Sequence, residues 1–131
     1  MDEQVKLTAI DPKTLEELQA LAPTDQTLSI VIEAFQSLAD PTRFKILSAL
    51  MTHEVCVRDL ALLIGVSESA ISHQLRFLRD RHLVRQRRDG NIMYYTLSDH
   101  HLPELIREAH NHAEHVNGEH HHQHHMQRKS S

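Results

Sequence analysis

The stretch Gly65-Val66-Ser67-Glu68-Ser69-Ala70-Ile71-Ser72-His73-Gln74-Leu75-Arg76-Phe77-Leu78 decides the fold. It reads as a glycine turn followed by a helix. The run Val57 to Ile64, with Leu60, Leu63 and Ile64 inward, predicts a helix before it. Gly65 suits the position just past that helix, where positive φ is easy for glycine. Ser67 is a good N-cap for the next helix, because its hydroxyl can accept from a first-turn amide. At about 100° per residue, Ala70, Ile71, Leu75 and Leu78 fall on one side of that helix. Ser69, Ser72, His73, Arg76 and Arg79 fall roughly opposite. Helix, short glycine turn and helix make the helix-turn-helix pattern.

Working outward, Leu83–Arg88 and Ile92–Leu97 are short and β-prone, and Asp89-Gly90-Asn91 between them is a hairpin turn signal. A helix-turn-helix followed by a hairpin is a winged helix. Upstream, Asp11-Pro12 and Asp40-Pro41 both read as an N-cap acid followed by Pro at the first helical position. They predict helices to about Ala22 and about Thr52. Between them, Leu28, Val31, Ile32, Phe35 and Leu38 recur at three and four residues and predict another helix. A last helix is expected from about His100 to Val116, ended by Asn117-Gly118. The expected class is mainly α with a β-hairpin wing: a homodimeric winged helix-turn-helix. Its parts are a flexible arm at 1–10, a DNA-binding and dimerisation domain at 11–117, and a disordered His-rich tail at 118–131.

Composition supports one small helical domain. The chain has 131 residues, 40% of them apolar and only 4% aromatic. The net charge of -4 would disfavour a phosphate partner if it were spread evenly. It is not: Ser67 to Arg88 holds six arginines (Arg76, Arg79, Arg81, Arg85, Arg87, Arg88) against two acids, Glu68 and Asp80. A local basic patch matters more to DNA than the global sum. Short hydroxyls let a helix approach the major groove, and Arg can bond guanine or a phosphate. The expected contacts to double-stranded DNA are Ser67, Ser69, Ser72, His73, Gln74, Arg76 and Arg79 on the helix, with Arg87 and Arg88 on the hairpin. A single cysteine, Cys56, rules out an internal disulfide, and no apolar run reaches membrane-spanning length. A cytoplasmic protein is expected, without a membrane partner. No nucleophile–base pair or phosphate loop points to an enzyme.

Histidine is the other anomaly: ten of the 13 lie between His100 and His125. In the last helix, Leu102, Leu105, Ile106, Ala109, Ala113 and Val116 form an apolar stripe that suits a core or a dimer face. His101, His112 and His115 lie beside it within a sector of roughly 60°. His112 and His115, three apart, can share one ion. His101 and His112 are about 16 Å apart along a straight helix, too far to share a metal whose bonds to nitrogen are about 2 Å. Two such helices packed antiparallel across a two-fold axis solve this. Asp99 and His101 of one chain then join His112 and His115 of the other, giving two sites per dimer. Three nitrogens and one oxygen in a tetrahedron suit Zn(II) or Co(II).

These residues resemble a known family. Leu38-Ala39-Asp40-Pro41-Thr42-Arg43, Val57-Arg58-Asp59-Leu60, Ser67 to Leu75, Tyr94-Tyr95 and Asp99-His100-His101 are similar to the ArsR/SmtB metal-sensing repressors. The resemblance covers roughly residues 25 to 116. It implies a homodimer that represses metal-handling genes when metal-free and leaves DNA when loaded with Zn(II) or Co(II). It matches Asp99, His101, His112 and His115 to the family's C-terminal-helix site. It also implies a bond from His112 to a carbonyl near His82, linking the metal to the reading helix. Thiolate-using members carry a Cys-x-Cys before the turn; only Cys56 stands here, which argues against a soft-metal site.

Alternatives follow from the tail. His120, His121, His122, His124 and His125 can add ligands, expand coordination and favour Ni(II), or make the chain a metal buffer. A regulator that senses through Cys56 without metal is the remaining rival.

Overall fold

The structure is a computed structural model that describes residues 9–98 and 101–130, with residues 119–130 as helical backbone alone. It divides into two compact units, Met1–Gln36 and Ser37–Ser131.

In the first unit, α1 spans Pro12–Leu21. Asp11 caps it by accepting from the Thr14 amide at 2.9 Å and the Thr14 hydroxyl at 2.9 Å. The amide bond first, and then the hydroxyl bond, lower the Asp11 pKa below the ordinary carboxylate value. The helix stops at Ala22, whose extended backbone (ψ 142°) is the one allowed before Pro23. α2 spans Asp25–Leu38. Its apolar residues Leu28, Val31, Ile32 and Phe35 are all exposed. They form a periodic, exposed apolar face of α2.

The second unit holds the core. α3 spans Pro41–Ala49, capped by Asp40 through the Arg43 amide at 3.0 Å. It ends before the expected Thr52, because Leu50 closes it and Met51 turns back to the Ser48 carbonyl. β1 is Val55–Cys56, α4 is Val57–Ile64 and α5 is Glu68–Asp80. Gly65 takes φ +82° between the last two. β2, Val84–Asp89, and β3, Ile92–Leu97, form the hairpin. Gly90 at φ +62° supplies the positive φ that its two-residue turn needs. The sheet order is β1-β3-β2. β1 has no counterpart in the sequence reading: two residues are too few for a pattern, and their pairing partner lies some forty residues on, at Tyr94 and Tyr95.

Ile46, Leu47, Leu50, Leu60, Ala61, Ile71, Leu75, Leu78, Val84, Leu102 and Ile106 form one buried cluster. Fully burying an aliphatic side chain of this kind contributes about 1.5–3 kcal/mol. Two residues expected inward are not. Leu63 is 68% exposed, because α4 turns the sector between Leu60 and Ala61 to the core. Ala70 is exposed on the first turn of α5.

α6 runs from His101 to Ser130. The helix continues past Asn117-Gly118, where the sequence reading expected it to stop. Gly118 is absent from the positive-φ positions, and one glycine inside a helix costs only about 1 kcal/mol. Leu102 and Ile106 are buried, whereas Ala109, Ala113 and Val116 are exposed in the single chain.

Candidate nucleic-acid interface and metal centre

The candidate interface is built on α5. Ser67 Oγ accepts from the Ala70 amide at 3.0 Å, so its oxygen serves as the helix cap. Ile71, Leu75 and Leu78 anchor the helix in the core. That leaves Ser69, Ser72, His73 and Arg76 exposed together on the far side, as expected. Three other expected contacts are engaged within the protein. Gln74 is half-buried, with Oε1 3.4 Å from Arg43 Nη1. Arg79 Nη1 donates to Gln86 Oε1 at 2.6 Å, which clasps the end of the helix to β2. Arg87 donates from Nη2 and Nε to Glu54 Oε2 at 2.6 and 3.1 Å, with its guanidinium 5.1 Å from the Tyr94 ring centroid. The bond to Glu54, and then the charge of that carboxylate, raise the Arg87 pKa further. The pair is solvent-exposed (55% and 41%), so screening leaves it a small stability role.

The hairpin register separates the two arginines assigned to DNA. Alternation along β2 puts Val84, Gln86 and Arg88 on one face and Arg85, Arg87 and Asp89 on the other. Val84 is buried and Gln86 meets α5, so Arg88 shares the face turned toward the reading helix. Arg87 lies on the opposite face with Glu54.

α5 hands over to the wing through a tight stop. His82 takes φ +60°, a conformation that costs a non-glycine residue energy. Its amide donates to the Arg79 carbonyl at 3.0 Å, and the Leu83 amide reaches back to Leu78 at 2.9 Å. Together these satisfy the last carbonyls of α5. The Leu83 carbonyl in turn accepts from Ser98 at 3.0 Å. The end of the reading helix is therefore bonded to the residue just before Asp99. Ser98 Oγ is buried without a hydrogen-bond partner among the described residues.

Asp99 lies outside the described residues. His101, His112 and His115 are exposed on α6. His112 and His115 share one face, one turn apart, whereas His101 stands about 16 Å away along the axis. Among the described residues no three metal-ligating side chains of one chain come together. The donors suit Zn(II) in kind, two imidazoles at helical spacing plus a third, but a single straight helix does not close the set. The side chains of His120, His121, His122, His124 and His125 lie outside the described residues. His110, given no role by the sequence reading, packs instead: Nε2 is 3.1 Å from Ser48 Oγ and its ring is 5.3 Å from Phe44. Cys56 is half-buried at the start of α4, and it is the only cysteine in the chain.

Residues 40–86 match the family described as bacterial regulatory protein, arsR family. A protein from Synechocystis described as a transcriptional repressor SmtB homolog is 43% identical over 112 residues, covering 86% of this chain and 77% of that one. The regulator NmtR of Mycobacterium tuberculosis is 44% identical over 96 residues, covering 72% and 80%. Among solved structures, the antimony-specific transcriptional repressor AntR superposes with a TM-score of 0.68 at 31% identity, covering 72% of this chain and 86% of that one.

Proposed function

The chain belongs to the ArsR family of bacterial regulatory proteins, and from that premise we propose that it is a Zn(II)-responsive repressor of metal-handling genes that binds operator DNA as a metal-free homodimer. The observation that carries this reading is the layout of α6. His101, His112 and His115 sit in one exposed sector, at a separation that only a second chain can close. Asp99 and His101 of one protomer and His112 and His115 of its partner are the ligands. Co(II) fits the same donors. The exposed apolar faces of α2 and of α6 are the surfaces such a dimer would bury. Cys56 is the only cysteine of the chain, so no disulfide can form within one protomer.

DNA is read by Ser69, Ser72, His73 and Arg76, with Arg88 on the wing. A dimer reads two half-sites about one helical turn apart, so a small rigid-body change misplaces one reading helix. Zn(II) must then bind the DNA-incompetent arrangement more tightly, and DNA must weaken Zn(II) by the same factor. A ligating imidazole usually donates its other N–H. His112 donating to a carbonyl near His82 would join the metal to the stop of α5. The Leu83–Ser98 bond supports this link, since it already ties that stop to the segment before Asp99. Such a regulator works in the cytoplasm; among the described residues no helix is long and apolar enough to cross a membrane.

A second reading, a Ni(II) or Co(II) sensor that recruits His120, His121, His122, His124 and His125, is favoured by one feature. α6 is continuous from the proposed ligands through residue 130. The test for both is fluorescence anisotropy of a duplex selected from random sequence by the metal-free full-length protein. One equivalent of Zn(II) per chain should weaken binding at least about tenfold, in the range of allosteric coupling. An unchanged affinity would sink the Zn(II) reading. A response to Ni(II) that disappears on removal of residues 119–131 would establish the second.

A further inference from the structure

We propose that Arg43 is a positioning residue for the reading helix, acting through Phe77 and Gln74 without touching DNA. The proposal rests on α5 being the DNA-reading element. Arg43 stands on the first turn of α3, where its own amide is held by the Asp40 cap. From there one guanidinium reaches two other helices. Nε donates at 2.8 Å to the carbonyl of Ser37, in the last turn of α2. Ser37 is itself buried, at 1% exposure. Nη1 points at Gln74 Oε1 at 3.4 Å. The guanidinium carbon lies 4.3 Å from the centroid of the Phe77 ring. Arg81, in the C-cap of α5, stands over the same ring at 3.5 Å and donates to the Phe77 carbonyl at 3.2 Å.

The arrangement senses rotation of α5. Gln74 and Phe77 occupy the flank of the helix between its buried side and its exposed reading side. A helix with side chains has a radius of about 5–6 Å, so a turn of about 20° moves their ends by roughly 2 Å. That breaks the contacts to Arg43. It also displaces Arg76 and Ser72 by as much, enough to lose a bidentate contact to a base edge. Burial of Ile71, Leu75 and Leu78 resists such a turn through the shape of the packed core, while the hydrophobic driving force itself is not directional. A planar, forked donor stacked on a ring is directional, and lysine does not reproduce it.

The test uses the full-length chain and the selected duplex across a KCl series. Arg43→Lys, Arg43→Gln and Phe77→Leu should each weaken DNA binding about tenfold, within the range for a coupled residue away from the ligand. The slope of affinity against salt should stay that of the parent. Arg43→Gln/Phe77→Leu should lose no more than either single variant, because both cut one link. Rescue by Arg43→Lys would overturn the proposal. So would a slope shallower by about 0.9 for Arg43→Gln, the mark of a lost phosphate contact, or affinity losses that vanish once the folded fraction from thermal melts is applied. Phe77→Leu keeps an apolar side chain and serves where an Arg43 variant folds poorly. Failure of the parent itself to bind any selected duplex would overturn the DNA reading, and this proposal with it.

Discussion

Chain complementation gives the most direct test of the proposed metal site shared between two chains. The perturbation is a pair of variants, His101→Ala and His112→Ala, each removing one member of the proposed set. Eleven residues separate the two positions, about 16 Å at 1.5 Å per residue. Two imidazole nitrogens on one ion are at most about 4 Å apart, twice the Zn–N bond. One straight α6 therefore never supplies both. In a dimer with crossed sites, each homodimer of either variant lacks one ligand in both sites. A mixed dimer has one site missing both ligands and one site intact. Unfolding and refolding equal amounts together gives His101→Ala homodimers, mixed dimers and His112→Ala homodimers in the ratio 1:2:1. Half the dimers are mixed, with one of two sites intact, so about a quarter of the wild-type sites return. The assay is Co(II) titration followed by the visible bands of four-coordinate cobalt. Separate variants should show almost none of the wild-type intensity, and the refolded mixture about a quarter. A refolded mixture no more intense than the variants titrated apart would refute the crossed site. So would full intensity from either variant alone.

Three further outcomes follow from the geometry. Arg88→Ala should make the salt dependence of DNA binding shallower by about 0.9, whereas Arg87→Ala, whose guanidinium is held by Glu54, should leave the slope unchanged; equal slopes for the two would contradict the register argument. Ser67→Ala removes the cap on Ala70 and should destabilise the fold by about 1 kcal/mol, read as a drop in Tm of roughly 3–5 °C for a chain of this size; a melt unchanged within a degree would count against it. Asp11 has a lowered pKa, so its contribution to α1 is present above the ordinary value of 3.8 and is lost as pH falls through the lower folded-state value. The Thr14 amide resonance should titrate with a midpoint below 3.8, and a midpoint above it would contradict the cap.

The features legible in the chain are those whose causes are local. Asp11, Asp40 and Ser67 each bond an amide three residues on. Gly65 and Gly90 take the positive φ that their turns require. Such signals need no knowledge of the rest of the molecule, and the order of helices, turn and hairpin followed from them. The apolar repeat likewise picked out Leu60, Ile71, Leu75, Leu78, Leu102 and Ile106, all of them buried. Helix periodicity was less decisive at the edge of a face, as Leu63 and Ala70 show.

The functional surface divides along the same line. Residue type and spacing were enough to place Ser69, Ser72, His73 and Arg76 on an exposed face, and His112 with His115 one turn apart on α6. Tertiary structure decided which polar residues are engaged elsewhere. Gln74 meets Arg43, 31 residues away, and Arg87 meets Glu54, 33 away. Arg79 meets Gln86 only because the hairpin folds back on the helix. An arginine looks the same in sequence whether its partner is a phosphate or a carboxylate, because the guanidinium bonds either with the same fork. The sequence by itself therefore determined the order of helices, turn and hairpin that makes the winged helix. Three-dimensional packing alone decided which polar side chains are engaged within the protein, because a partner dozens of residues away leaves no periodic mark on the chain.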